Sequence, residues 1–228
     1  MNFGIFSKIS LKTSREAGSL PFFCERPALG FTPRDALSAA RQMRGRKSGE
    51  ARILGTADRC RFGFPRVIVC APLQGVNAPF PTSFWLTCPW LVRSIGELES
   101  NGGVRALERW IELHAPREWV PFNIFHQRLR LALLPEPALR FLRRFRPQLL
   151  KRLRGGVGGI RFDAARPHGE KWIHVKCLHL QTASWLALHR HPGAPWLAGH
   201  GAGLDCAGEL IPTCQGQGRR PWTRYGCE

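Results

Sequence analysis

The chain has 228 residues, 43% of them apolar and eight of them Trp, which suits one packed core and argues against a disordered chain. Its 34 Lys and Arg stand against 16 Asp and Glu, and a net charge of +18 favours polyanionic partners. No apolar run approaches the roughly 20 residues that cross a bilayer, and the first residues lack the pattern of a signal peptide, so the expectation is a cytoplasmic protein.

Residues 1–31 show no sustained periodicity and are expected to be a poorly ordered extension. Thr32-Pro33 reads as a helix start, Thr32 capping and Pro33 in the first turn. That helix is expected to run to Met43, with Ala36, Leu37, Ala40 and Met43 on one face, before a basic turn at Arg44–Glu50. Three strands are predicted next: Ala51–Ala57, Arg66–Leu73 with its β-branched Val67-Ile68-Val69, and Ser83–Thr87. Gly75, Asn77, Pro79 and Pro81 can reverse the chain between the last two, which makes them a candidate hairpin.

From Pro89 the period becomes helical. Leu91, Val92, Ile95 and Leu98 form a stripe that Asn101-Gly102-Gly103 stops, and Val104, Leu107 and Ile111 continue in a second helix up to Pro116. Residues 137–153 predict another, broken or kinked at Pro147. Gly155–Gly159 reads as a joint, and a last helix is expected from Val175 to Arg190. Beyond residue 200 the Gly, Pro and Arg content predicts a flexible tail. The predicted fold is α+β, a small and about three-stranded antiparallel sheet covered by several helices, in a single domain over 32–200.

Eight cysteines without an export signal point to reduced thiols or metal ligands rather than disulfides. They are scattered and contain no C-x-x-C pair. Cys88 precedes Pro89 at a predicted helix start, where the dipole and free amides favour a thiolate. Cys177 sits in a similar place beside Lys176. With Cys60 and His179 they offer three sulfurs and one imidazole, a ligand set that suits tetrahedral zinc. Two other readings stand beside it: small buried hydrophobes, the commoner role of free cysteine, and reactive thiols. His189, His191 and His200 read as loop histidines.

Several segments occur in one characteristic order: Ala40-Arg41-Gln42-Met43, Arg59-Cys60-x-x-Gly63-x-Pro65, and Phe80-Pro81-Thr82-x-Phe84-Trp85-Leu86-Thr87-Cys88-Pro89. After them come Leu98-Glu99-x-x-Gly102, Gly158-Gly159 and Val175-Lys176-Cys177-Leu178-His179. This pattern resembles the bacterial family known as domain of unknown function five hundred and one, over about Pro33 to Trp196. The resemblance implies a bacterial protein and no known reaction. Relatives tend to carry a cysteine where this chain has Phe62 and a second histidine where it has Ser184.

The positive charge is concentrated. Between Arg117 and Arg161 lie ten Arg and one Lys but only two acids, Glu118 and Glu136. Arg128, Arg130, Arg140, Arg143, Arg144, Lys151, Arg152 and Arg154 are the candidate nucleic-acid contacts, with Arg140, Arg143 and Arg144 on one helical face. Phe141 and Phe145 beside them are expected to pack inward. No hydrolase triad, zinc-protease motif or phosphate loop is present, and no small-molecule substrate can be named. Glu97 and Glu99 read as surface salt-bridge partners. The expected function is therefore a binding or accessory domain with a cysteine-centred, structural or metal-holding site. The alternatives are a protein that contacts RNA, DNA or the ribosome, and an enzyme using the Cys/His cluster.

Overall fold

The β-branched run Val67-Ile68-Val69 lies at the centre of a small sheet. A computed structural model describes residues 30–43, 52–74, 78–155, 157 and 173–215. Residues 1–29 of the extension expected over 1–31, the basic turn at 44–50, Gly156, Gly158 and Gly159 of the expected joint, and residues 216–228 lie outside the described residues. Strands β1 (Ile53–Arg59), β2 (Pro65–Cys70) and β5 (Phe84–Leu86) form an antiparallel sheet in the order β1-β2-β5. Between β2 and β5, β3 (Leu73–Gln74) pairs with β4 (Ala78–Pro79) in a two-stranded ribbon. The β1–β2 turn closes with Cys60 N–H on the Phe64 carbonyl at 3.0 Å, and Gly63 supplies its left-handed residue at φ +81°.

Side chains alternate across β2. Val67 and Val69 pack with Phe84, Leu86 and the main helices, whereas Ile68 and Cys70 pack with Ala39, Met43 and Phe80. Helix α1 (Pro33–Gln42) covers this second, smaller core. Its start is a full capping box: Thr32 Oγ1 accepts from Asp35 N–H, and Asp35 accepts from Thr32 N–H at 2.8 Å. The buried face differs from the expected stripe. Leu37 is 57% exposed and Ala40 is exposed, whereas Asp35, Ser38, Ala39 and Gln42 point inward. The polar face wins because it is matched: Arg59 pairs with Asp35, and Gln42 Nε2 donates to the Pro65 carbonyl at 3.0 Å.

The main core lies on the other side of the sheet. Helices α2 (Pro89–Ser100) and α3 (Gly103–His114) follow the predicted stripes and bury Leu91, Val92, Ile95, Leu107 and Ile111. They turn at Gly102, φ +82°. Gly103 sits in contact too close for a side chain, since a Cβ there would stand 2.6 Å from the Leu98 carbonyl oxygen and 2.8 Å from Leu178 Cδ1.

Helix α4 (Pro116–Ala132) was not legible as an element. Pro116 and Pro121 interrupt its pattern, and its apolar residues spread around the axis instead of lining one face. The segment 137–153 divides as Pro147 predicts, into α5 (Glu136–Phe145) and α6 (Pro147–Leu153). These two bury Leu139, Leu142, Leu150 and Leu153 in a small core of their own with Leu134.

Helix α7 (Leu178–Leu188) packs against β5 and α2 and is buried on nearly every side. It starts three residues later than expected and ends at His189, whose φ of +52° closes it. Beyond it come α8 (Ala194–Gly199) and α9 (Ile211–Gln215), the latter packed on α1. Residues 201–215, which composition assigned to the flexible tail, include buried Ala202, Cys206 and Cys214.

Candidate functional site

The signature loop is held by backbone and side-chain hydrogen bonds. Phe80 N–H donates to the Pro72 carbonyl at 2.9 Å, and Thr87 Oγ1 donates to the carbonyls of Pro65 and Arg66, each at 3.2 Å. Those contacts leave Cys88 as the N-cap of α2, as Pro89 requires. The amides of Trp90 and Leu91 favour a thiolate there, but burial outweighs them and pushes the Cys88 thiol up to about 12. The expectation of a dipole-activated thiolate is thus corrected: Cys88 is 7% exposed, and a dry sulfur holds its proton.

Of the four ligands drawn from the sequence, the structure brings together two. Cys60, in the β1–β2 turn, and Cys88 line one small cavity. Cys177 and His179 belong to a different place. Cys177 is the N-cap of α7, and its thiol is likewise raised, mainly by burial.

His179 is occupied on both sides of its ring: Nδ1 is 3.1 Å from Glu99 Oε2 and Nε2 is 3.0 Å from the Val92 carbonyl oxygen. Both nitrogens face oxygen atoms, so a metal would have to displace one of these contacts to reach the ring. Among the described residues no group of three or more His, Cys, Asp or Glu side chains is placed, as it stands, to hold a metal ion.

Glu99 is the residue that sequence reasoning placed on the surface. Its carboxylate spans two helices, with Oε1 accepting from the backbone amides of Leu178 and, at 3.3 Å, His179, the first turn of α7. Burial works against the charge, but His179 and these amides prevail and hold the Glu99 carboxyl below the usual range. The motif Leu98-Glu99-x-x-Gly102 already contained this residue, and that signal could have found it.

A buried polar group lies where α4 meets the turn after α7. His191 Nε2 donates to Gln181 Oε1 at 2.8 Å, Gly193 N–H donates to His191 Nδ1 at 2.9 Å, and Gln181 Nε2 donates to the Val157 carbonyl at 3.1 Å. His126 packs edge-on to Phe122, ring centroids 4.6 Å apart, and its Nε2 is buried without a hydrogen-bond partner. Burial lowers both histidines to about 3, with the neighbouring cations adding to the effect at His126. Ser184, where relatives tend to carry a histidine, is buried with an unpartnered hydroxyl.

The basic residues divide into two kinds. Arg130 is 5% exposed and spends its guanidinium on the signature loop, donating to the carbonyls of Phe80 and, at 2.8 Å, Pro81. It is a brace for that loop, which corrects its assignment as a nucleic-acid contact. Arg128, Arg140, Arg143, Arg144, Lys151, Arg152 and Arg154 are exposed. Phe141 and Phe145 also point outward, 42% and 60% exposed, against the expectation that they pack in the core. Leu139 and Leu142 already fill the inner face of α5, which leaves both rings on the outside. The rings lie 5.2 Å apart, and the Arg144 guanidinium stands 5.5 Å from the Phe145 ring centroid.

These features define an α+β domain with one half-buried and one buried polar centre and an Arg/Phe outer face. The chain belongs to the family described as Protein of unknown function (DUF501), whose model matches residues 56–197. No curated protein and no solved structure matches the chain. No helix among the described residues is long and apolar enough to cross a membrane.

Proposed function

We propose that this chain is an accessory protein that binds single-stranded nucleic acid through the outer face of α5 and α6. One observation carries the reading: two exposed phenylalanine rings lie among Arg140, Arg143, Arg144 and Lys151, on a surface where Glu136 is the one carboxylate of α5 and α6. Water-exposed aromatic rings are unfavourable without a partner, and bases stack on such rings while arginines take the phosphates. Glu136 offsets little of the charge, since its 3.9 Å contact with Arg140 is fully at the surface. The net charge of +18 would add a long-range attraction that salt screens.

The test is fluorescence anisotropy with labelled single-stranded RNA and DNA oligonucleotides across a salt series. Replacing Arg140, Arg143 and Arg144 together by Gln should flatten the slope of log affinity against log salt by roughly two units, at about 0.7 per lost phosphate contact. Phe141→Ala with Phe145→Ala should weaken binding at every salt concentration and leave the slope intact, because stacking is worth about 1–3 kcal/mol per base and releases no counterions. Binding to anionic vesicles but to neither oligonucleotide would redirect the face to a membrane surface. Indifference of oligonucleotide binding to both sets of substitutions would remove the reading.

A further inference from the structure

Four cysteines from four separate segments reach one cavity. Cys60 comes from the β1–β2 turn, Cys88 from the head of α2, Cys206 from the loop after α8 and Cys214 from α9. The space they line is about 10 Å³, room for about one water-sized sphere. The remaining wall is mainly apolar, with Phe62, Phe64 and Ile211 among its residues. None of the four sulfurs is in a disulfide.

Polar groups at this cavity already address sulfur. Gln42 is 1% exposed, and its Nε2 donates both to Cys214 Sγ at 3.4 Å and to the Pro65 carbonyl at 3.0 Å. The first-turn amides of α2 favour charge on Cys88. Donors aimed at thiolates are the usual surroundings of metal-bound sulfur, where they orient the ligands and spread their charge. Arg59 and Arg66 lie near enough to interact with Cys60 and Cys88 respectively, so a site of net negative charge would meet positive neighbours.

The C-terminal segment supplies an independent reason. Helix α9 has five residues, too few to hold itself by its own hydrogen bonds, yet Cys206 and Cys214 on and before it are buried. Something beyond helix propensity fixes this segment against α1 and the sheet.

We propose that Cys60, Cys88, Cys206 and Cys214 close around one zinc-class divalent cation, forming a tetrathiolate site that fastens the C-terminal segment to the sheet. As placed, the four side chains do not stand in ligand geometry, so closure must bring the sulfurs to about 3.8 Å from one another and about 2.3 Å from the ion. Four S–H bonds give up four protons to solvent as four metal–sulfur bonds form, and no electron is transferred. Metal binding would offset the cost of ionising Cys88 and Cys214, whose thiols burial raises. Cys206 and Cys214 thereby stand where the sequence had suggested Cys177 and His179, and none of the residues of the Arg/Phe face lines this cavity.

The experiment uses the full chain, purified without a histidine tag, reduced and freed of metal. Cobalt titration should give one ion per chain with the intense thiolate charge-transfer absorption of a tetrahedral site, and zinc should displace it. Cys88→Ser, Cys206→Ser and Cys214→Ser should each abolish that absorption, whereas Cys177→Ser and Cys70→Ser should keep it. Because a cysteine variant can simply misfold, the wild type is also alkylated with and without zinc and mapped by mass spectrometry. Zinc should protect Cys60, Cys88, Cys206 and Cys214 together and leave Cys177 as reactive as before. Absence of stoichiometric cobalt or zinc binding, or protection that falls on Cys177 instead of Cys206 and Cys214, would overturn the proposal.

Discussion

Glu99 in the last turn of α2 and His179 in the first turn of α7 are joined by a 3.1 Å contact between Glu99 Oε2 and His179 Nδ1, while Glu99 Oε1 takes the amides that open α7. One carboxylate thus caps a helix and pairs with its second residue. Glu99→Gln keeps the shape but loses the charge and should cost about 1.5–3 kcal/mol, read as a lower urea midpoint. The Glu99 carboxyl is depressed in the folded state, so its contribution is present above the ordinary glutamate range and is lost as pH falls through the folded value. The gap between wild type and Glu99→Gln should therefore narrow in acid. A gap that stays constant down to acid unfolding would mean that the carboxylate charge contributes nothing.

Arg130→Met should destabilise the fold by about 1–3 kcal/mol, because the buried Phe80 carbonyl loses its donor, while the Pro81 carbonyl can turn to water. Oligonucleotide affinity should stay unchanged in the fraction that folds. Calorimetry and anisotropy on the same preparation separate the two effects.

His126 and His191 set a second pH dependence. Both are held near 3 when folded and titrate at about 6.5 when unfolded, so the unfolded chain binds more protons throughout the interval. Stability should be complete above about pH 6.5 and fall below it, by up to about 1.4 kcal/mol per pH unit for each histidine. His126→Phe replaces an unpartnered ring nitrogen within an aromatic cluster and should roughly halve that slope. Urea midpoints between pH 7.5 and 5 measure it, and an unchanged slope would show that His126 is open to water.

Gly103→Ala puts a methyl group against the Leu98 carbonyl and Leu178. The Leu98 carbonyl is backbone and can retreat only if α2 shifts, so a loss of about 1–3 kcal/mol is expected. Gly199→Ala, at a position with nothing within 4 Å of the added carbon, should be close to neutral or slightly stabilising. Thermal melts of the pair provide an internal control.

Elements with one clean stripe or an unambiguous cap were legible in the sequence. Thr32-Pro33 gave α1, Cys88-Pro89 gave α2, and Val67-Ile68-Val69 gave the central strand. Helix α4 was hidden because its apolar residues surround the axis, as suits a helix packed on several sides. The inward face of α1 was misread because Asp35 and Gln42 become inward-facing only once Arg59 and the Pro65 carbonyl arrive from elsewhere in the chain.

The same limit governs the candidate sites. Cys60 and Cys88 carried a recognisable pattern, but Cys206 and Cys214 lie in a Gly-rich stretch that reads as loose, and only tertiary packing brings them to the first two. Glu99 lay in a recognisable motif but its partners come from a distant helix, and Gln181 had no local signal of burial because it too is satisfied at a distance.

Strand β2 serves two cores through adjacent residues: Val67 and Val69 belong to one, Ile68 and Cys70 to the other. A slip of one residue in its pairing would exchange the two sets, pressing Ile68 and Cys70 into the large helical core and turning both valines toward α1. An insertion or deletion inside 65–70 should therefore be far less tolerated than most single substitutions there. In this fold the counting of residues along six positions of one strand decides how two separate interiors are filled.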